Sequence, residues 1–279
     1  LVSIRLLQET GVGNALKTAT RFGFERSDLP RDLSLALGNA SLTPLSLADG
    51  YSKIANGGYN TSSYLIDYIE DYEGNIIFQA KPKTACHDCL DSTEPEKNQL
   101  TEEADPKNKQ APIAERIADE RAVYILHSML KDVITLGTGR RARSLNRTDL
   151  AGKTGTTNDY RDSWFAGFDR QLLASIWVGD DDNAPTGLSG SSGAMQVYID
   201  FQQKMEPKSL SRRFPTGLEI AHFNAQTGKQ MMAGCPGSIS LPAISLGLSE
   251  QVLSCTGNVV AKPVPVKAKK KTWWQKIFG

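Results

Sequence analysis

Six consecutive residues, Gly152-Lys153-Thr154-Gly155-Thr156-Thr157, combine a cation, three hydroxyls and two glycines. Two chemistries use such a run. A phosphate-binding loop reads Gly-x4-Gly-Lys-Ser/Thr and leads into a helix whose N-terminus holds the anion. That pattern needs glycine at position 147, which is Arg147, and Gly155 weakens a following helix. The second chemistry is recognition of a peptide carboxylate along the edge of a strand. Gly155, without a side chain, lets a ligand backbone approach. Lys153 supplies positive potential and a proton-network partner. The hydroxyls of Thr154 and Thr156 suit a carboxylate, and a backbone N–H on such an edge can serve an oxyanion hole. A threonine-rich edge strand with no ligand would carry the same run, so its surroundings must decide.

The elements around the run read as strands and helices without a βαβ rhythm. Leu150 to Thr157, Ser163 to Phe168 and Leu172 to Val178 form three strands. The short Asp169-Arg170-Gln171 connection makes the last two antiparallel neighbours. Ahead of them, residues 113–136 predict an amphipathic helix, with Val123, Leu126, Leu130 and Val133 as its apolar stripe and Gly137-Thr138-Gly139 as its stop. Behind them, Met195, Tyr198, Ile199 and Gln202 predict a helix over 194–205. Residues 1–60 read as helical, broken at Gly11 and Gly13, with a helix from Pro44 to Asn56 capped by Ser41-x-Thr43. A β-hairpin is expected over 64–80, turning at Glu73-Gly74-Asn75. Residues 81–112 hold five Lys, seven Asp+Glu and little that is apolar, which predicts an exposed polar insertion. Residues 214–255 read as irregular, with short strands. The fold class is α/β (α+β), an antiparallel sheet flanked by helices.

Longer strings then specify a family. Ala151 to Thr157 continues through Asn158-Asp159-Tyr160-Arg161-Asp162-Ser163-Trp164 to Gly167-Phe168. Upstream stand Gly38-Asn39-Ala40-Ser41-Leu42-Thr43-Pro44 to Tyr51, then Ala55-Asn56-Gly57-Gly58, then Leu136-Gly137-Thr138-Gly139. Together these resemble the transpeptidase domain of class A penicillin-binding proteins over most of residues 1–205, whose Lys-Thr-Gly motif is shared with β-lactamases. The resemblance implies a penicillin-binding/serine β-lactamase-like fold and a D,D-transpeptidase module of a bifunctional peptidoglycan synthase. Its partners would be stem peptides ending in D-Ala-D-Ala, with β-lactams acylating the same serine, and no cofactor, metal or nucleic acid. Carried onto this chain, Lys153 joins the active-site Lys/Ser network. Thr154, Gly155, Thr156 and Thr157 bind substrate, and the Thr156 N–H serves the oxyanion hole. The same fold also hosts D,D-carboxypeptidases and β-lactamases, and a non-catalytic wall- or partner-binding module is a third reading.

The family places Ser-x-x-Lys and Ser-x-Asn before Lys-Thr-Gly, and Leu1-Val2-Ser3-Ile4-Arg5-Leu6 resembles the stretch just after Ser-x-Asn. The chain is therefore expected to be the C-terminal portion of such a domain, incomplete on its N-terminal side and inactive alone. Its membrane anchor would lie upstream, at the extracytoplasmic (periplasmic) face of the bacterial inner membrane. Two internal strings imitate the missing motifs, Ser128-Met129-Leu130-Lys131 and Ser144-Leu145-Asn146. On the helix, Ser128 lies about 200° and Lys131 about 140° from Leu126, so both are expected to face solvent. Ser144 sits among Arg140, Arg141, Arg143 and Arg147. Neither string offers the sheltered lysine a nucleophilic serine needs.

Composition agrees with a globular enzyme module. The chain has 279 residues, 39% hydrophobic, with 32 Lys+Arg against 31 Asp+Glu. This excludes wholesale disorder and a chain-wide nucleic-acid charge. The longest apolar run, Leu172 to Val178 with Ser175 inside it, falls far short of the roughly 20 residues of a membrane span. Neutrality hides a split. Six lysines and no acid fall within 256–279, leaving −5 on the rest. The expected organisation is 1–205, an extension over 206–255, and a basic tail over 256–279. The tail's Trp273, Trp274, Ile277 and Phe278 among lysines leave open a disordered extension, anionic lipid contact or wall-polymer contact. Four cysteines occur, Cys86-x-x-Cys89, Cys235 and Cys255. A zinc site recruiting His87 is weakly supported by that spacing. The oxidising compartment implied by the resemblance favours disulfides, Cys235–Cys255 and Cys86–Cys89.

Overall fold

A computed structural model describes residues 2–86, 112–206, 208–210 and 212–262. The chain divides into two compact units at Pro215/Thr216. In the first unit the helices are α1 (Val2–Thr10), α2 (Val12–Arg21), α3 (Pro44–Ala55), α4 (Glu120–Thr135) and α5 (Ala194–Gln203). Its strands are β1 (Tyr68–Glu70), β2 (Ile76–Gln79), β3 (Ala151–Thr156), β4 (Ser163–Phe168) and β5 (Leu173–Val178). β3, β4 and β5 form an antiparallel sheet in that order, which is the mixed, antiparallel architecture expected.

The central strand explains the layering. Five of the six β4 residues are buried, because helices cover both faces. Phe165 points to α5, its ring 4.8 Å from Tyr198, within a cluster that includes Leu150, Ala194, Met195 and Ile199. Phe168 points to the other face, where Leu130 of α4 and Tyr51 and Ile54 of α3 pack around it. Helix boundaries follow local chemistry. Thr43 Oγ1 accepts from Ser46 N to start α3 with Pro44 in its first turn, and Asn56 caps its end. Gly11 ends α1 in the left-handed region, at φ 83°, whereas Gly13 continues inside α2 rather than breaking it.

Two expectations shift. α4 begins at Glu120, with Asp119 accepting from Arg121 N. Residues 112–119 are instead extended, bridging Thr84 to Ile113 and Tyr59 to Arg116. The buried row of α4 is Val123, His127, Leu130 and Ile134, one position round from the anticipated stripe at two of its four places. Counting only apolar residues passed over His127, whose ring stacks on Phe168 at 5.1 Å between centroids. The β1–β2 hairpin forms as expected. Asp71 Oδ1 accepts from the amides of Glu73 and Asn75 at its turn, and both strands are exposed throughout. Most of the 81–112 insertion, with Cys89 and the Cys86–Cys89 pairing, lies outside the described residues.

The second unit is more regular than anticipated. β6 (Leu218–Asn224) and β7 (Ser238–Ile244) pair antiparallel along their full length, and β8 (Gln251–Leu253) pairs with β9 (Val259–Ala261). Pro242 sits inside β7, where a two-stranded sheet leaves it an edge to occupy. The expected Cys235–Cys255 disulfide is present.

One ion-pair cluster ties the sheet to its surroundings. Arg147 pairs with Asp149 at 2.7 Å and Asp169 at 3.0 Å, with side chains 13%, 17% and 3% exposed. Desolvation pushes the Asp149 carboxyl up, but the Arg147 hydrogen bond, the Leu210 amide and the Arg147 charge outweigh it and hold the carboxyl below its usual value. Arg147→Met strands the buried Asp169 carboxylate and the half-buried Asp149 carboxylate and is expected to destabilise the protein by about 3 kcal/mol in urea unfolding at neutral pH. Because the folded pKa of Asp149 lies below the unfolded one, its contribution is present above about pH 4 and lost on further acidification. The gap between wild type and variant should therefore narrow in the same measurement as pH falls below about 4.

Candidate functional site

Among the described residues, β3 has a strand neighbour on one side only. Its register pairs Lys153 with Ala166, Thr154 with Phe165, Gly155 with Trp164 and Thr156 with Ser163. The Thr157 amide continues the ladder to Asp162 O at 3.2 Å. In an antiparallel ladder hydrogen-bonded pairs alternate with unbonded ones. Positions 157, 155 and 153 therefore bond inward to β4, and the N–H and C=O of Thr154 and Thr156 face the open edge.

The side chains converge there. Alternation puts Lys153 and Thr154 on opposite faces, but the lysine curls over the edge and donates from Nζ to Thr154 O at 2.7 Å. Lys153 reaches solvent, yet partial desolvation by the surrounding chain holds its pKa below the usual lysine value. Thr154 Oγ1 lies 2.6 Å from Thr138 Oγ1, in the loop that follows α4. Thr156 Oγ1 accepts from Gly190 N at 2.8 Å, which leaves its own proton free to donate. Thr157 differs, because its hydroxyl donates to Asp162 Oδ2 at 3.0 Å and accepts from Asp162 N at 2.7 Å. Asp162 Oδ1 also accepts from Trp177 Nε1 at 2.9 Å, so this turn is closed on itself. Gly155 has a steric reason to be glycine apart from any ligand, since an added Cβ would meet Trp164 Cβ at 3.0 Å.

The two imitation motifs do not assemble. Ser128 and Lys131 are half-buried rather than solvated, because Tyr124, Leu210 and Arg212 wall that side of α4. Among the described residues no hydrogen bond joins Ser128 Oγ to Lys131 Nζ. Ser144 is exposed in a short 3-10 turn, and Asn146 caps it in the left-handed region at φ 52°. Among the described residues no group of three or more His, Cys, Asp or Glu could hold a metal ion, and no helix is long and apolar enough to cross a membrane.

Sequence reading missed the segment that braces the edge strand from above. The buried Ser163 Oγ donates to Ser189 O at 2.7 Å and accepts from Ala194 N at 2.8 Å, pinning 189–194 over the β3–β4 ladder. The string Ser189-Gly190-Ser191-Ser192-Gly193, small and hydroxylic before a helix, was the available signal.

An antiparallel sheet between helices, with Lys-Thr-Gly on its open edge strand, is the arrangement of the penicillin-recognising fold. The family described as the penicillin binding protein transpeptidase domain matches residues 5–187, and the chain belongs to it. Penicillin-binding protein 1A of Pseudomonas aeruginosa is 39% identical over 264 residues, covering 85% of this chain and 32% of that protein. Its counterpart in Neisseria gonorrhoeae is 40% identical over 205 residues, covering 73% and 23%. The chain thus spans a third or less of the length of these relatives. The crystal structure of penicillin-binding protein 1A from Haemophilus influenzae aligns at TM-score 0.74 and 28% identity, over 88% of this chain and 38% of that one. PonA1 of Mycobacterium tuberculosis shares the fold at TM-score 0.54 and 15% identity.

Gly190 is where the brace touches the strand. A Cβ there would land on the carbonyl oxygen of Gly155 and 2.7 Å from that of Trp164, both backbone atoms that cannot yield. Gly190→Ala is expected to destabilise the protein by about 1–3 kcal/mol. Native-state hydrogen exchange should show protection falling at the Gly155 and Trp164 amides while the β6–β7 amides stay unchanged.

Proposed function

We propose that this chain forms the Lys-Thr-Gly wall of a serine D,D-transpeptidase that cross-links peptidoglycan. The observation that carries the reading is the open edge of β3, where the Thr156 N–H, the Thr154 hydroxyl and the Lys153 ammonium meet with no strand among the described residues covering them. A stem peptide ending in D-Ala-D-Ala would add along this edge as an extra strand. Its carboxylate would lie against the Thr154 and Thr156 hydroxyls in the positive field of Lys153. Its scissile carbonyl would present oxygen to the Thr156 N–H, which stabilises the tetrahedral oxyanion as a serine attacks. Gly155 presents no side chain that would crowd Trp164, and Thr157 holds the end of the strand through Asp162.

The parent activity would release D-Ala and pass the acyl group to an amine of a neighbouring stem. β-Lactams would acylate the same serine. The setting would be the periplasmic face of the inner membrane, an oxidising compartment in keeping with the Cys235–Cys255 bridge. A glycosyltransferase partner domain belongs to the same proposal. Lipid or wall-polymer contact by the basic tail also belongs to it, and residues 263–279 lie outside those described.

Two fluorescent-penicillin experiments test the assignment. The 279-residue chain alone is expected to take no stable label, and labelling abolished by Ser128→Ala would overturn the proposal. A hybrid in which this chain replaces the matching stretch of the Pseudomonas aeruginosa relative is expected to label. Lys153→Ala in that hybrid should slow acylation by about 100-fold or more, in line with losing a transition-state contact. Unchanged acylation in that variant would sink the role given to Lys153.

A further inference from the structure

A cavity of about 310 Å³ opens beside α4, and none of the residues from Lys153 to Thr157 lines it. His127, Lys131 and Thr135 follow one another at successive turns along its wall, flanked by Ser128 and Asp132, with Arg212 arriving from the chain beyond α5. Two nitrogens of residues on its wall, His127 Nε2 and Arg212 Nε, are buried with no partner among the described residues. His127 is 4% exposed and its ring is fixed by stacking on Phe168, so it cannot swing out to water. Arg212 is fixed at its other end, where Nη2 donates to Ala55 O. Buried donors of this kind normally have a partner.

The charges say what kind of partner suits them. Lys131 and Arg212 are cations, and Asp132, which accepts from Thr135 Oγ1 at 3.4 Å, is the single carboxylate on the wall. Burial, reinforced by the charges of Arg212 and Lys131, pushes the His127 pKa down to about 4, so its ring is neutral at pH 7 and still able to carry one N–H. The cavity is therefore left with one positive charge in excess and a set of donors. We propose that it binds a small oxyanion, a phosphate or carboxylate group, held between Lys131 and Arg212 with His127 Nε2–H and Ser128 Oγ as neutral donors. This site is separate from the β3 edge and stands whether or not the chain acts in transpeptidation.

Imidazole nitrogen NMR on the ¹⁵N-labelled chain tests it, with the His127 signals assigned by their loss in His127→Gln. Inorganic phosphate and acetate are titrated in separate arms against chloride at matched ionic strength. The expected result is a saturable shift of His127 Nε2 in at least one arm, the responding arm identifying the anion. Lys131→Met, which removes a charge and no fold-holding bond, should weaken that binding tenfold or more. It should also abolish a rise in thermal midpoint that the same anion gives the wild type. A shift that never saturates, that chloride reproduces, or that Lys131→Met leaves unchanged would mean the cavity holds water only and would overturn the proposal.

Discussion

The site depends on β3 being paired on one side and bare on the other. A bare strand edge is a hazard in most proteins, because its unpaired N–H and C=O groups template unwanted pairing. β4 is buried on both faces between its two neighbours, and α4 and α5 cover the two surfaces. The open stretch of β3 is a few residues long, and its alternation turns the backbone of Thr154 and Thr156 outward. A one-residue slip of β3 against β4 would turn Gly155 outward instead and move every side chain to the opposite face. Register is therefore a functional quantity in this protein.

Two kinds of force hold that register. At the Ala151 end the force is ionic. Arg147 reaches Asp149 just before β3, Asp169 just after β4, and Gln202 on α5, so one guanidinium joins the strand, its neighbour and the covering helix. At the Thr156 end the force is hydrogen bonding, through Thr138, Ser163, Ser189 and the Gly190 amide, and through the Asp162 carboxylate that accepts from Thr157 and Trp177.

The sheet and its flanking helices were legible in the sequence because their side chains alternate or recur with a clear period. β4 and β5 read correctly from Ser163-Trp164-Phe165-Ala166 and Leu173-Ala174-Ser175-Ile176, and α5 from Met195, Tyr198 and Ile199. The strings around Lys153 also carried the family, which matches over 5–187. Errors arose where burial and polarity part company. His127 is polar and buried, so a stripe drawn from apolar residues alone missed it. Residues 112–119 are held by isolated bridges to Thr84 and Tyr59, contacts between distant segments that leave no local period. The brace at Gly190 was hard to read for a similar reason, since the atoms it packs on are backbone atoms of Gly155 and Trp164, far earlier in the chain.

α4 shows how one helix serves two surfaces at once. Leu130 and Ile134 are buried in the apolar clusters against the sheet, and the loop that follows delivers Thr138 to Thr154. His127 lies in that same buried row, yet its ring divides its roles, with one face stacked on Phe168 and Nε2 left without a protein partner. A leucine at this place would fill the apolar contact with less desolvation. The imidazole instead keeps a polar atom in this buried row, on a residue that also lines the cavity. Because the stacking fixes the ring, anything that binds Nε2 acts on a rigid group, and its effect passes to the helix carrying the Thr138 loop rather than being lost in side-chain motion. The rigidity of position 127 comes from the core, and its polarity is what the proposed anion would use.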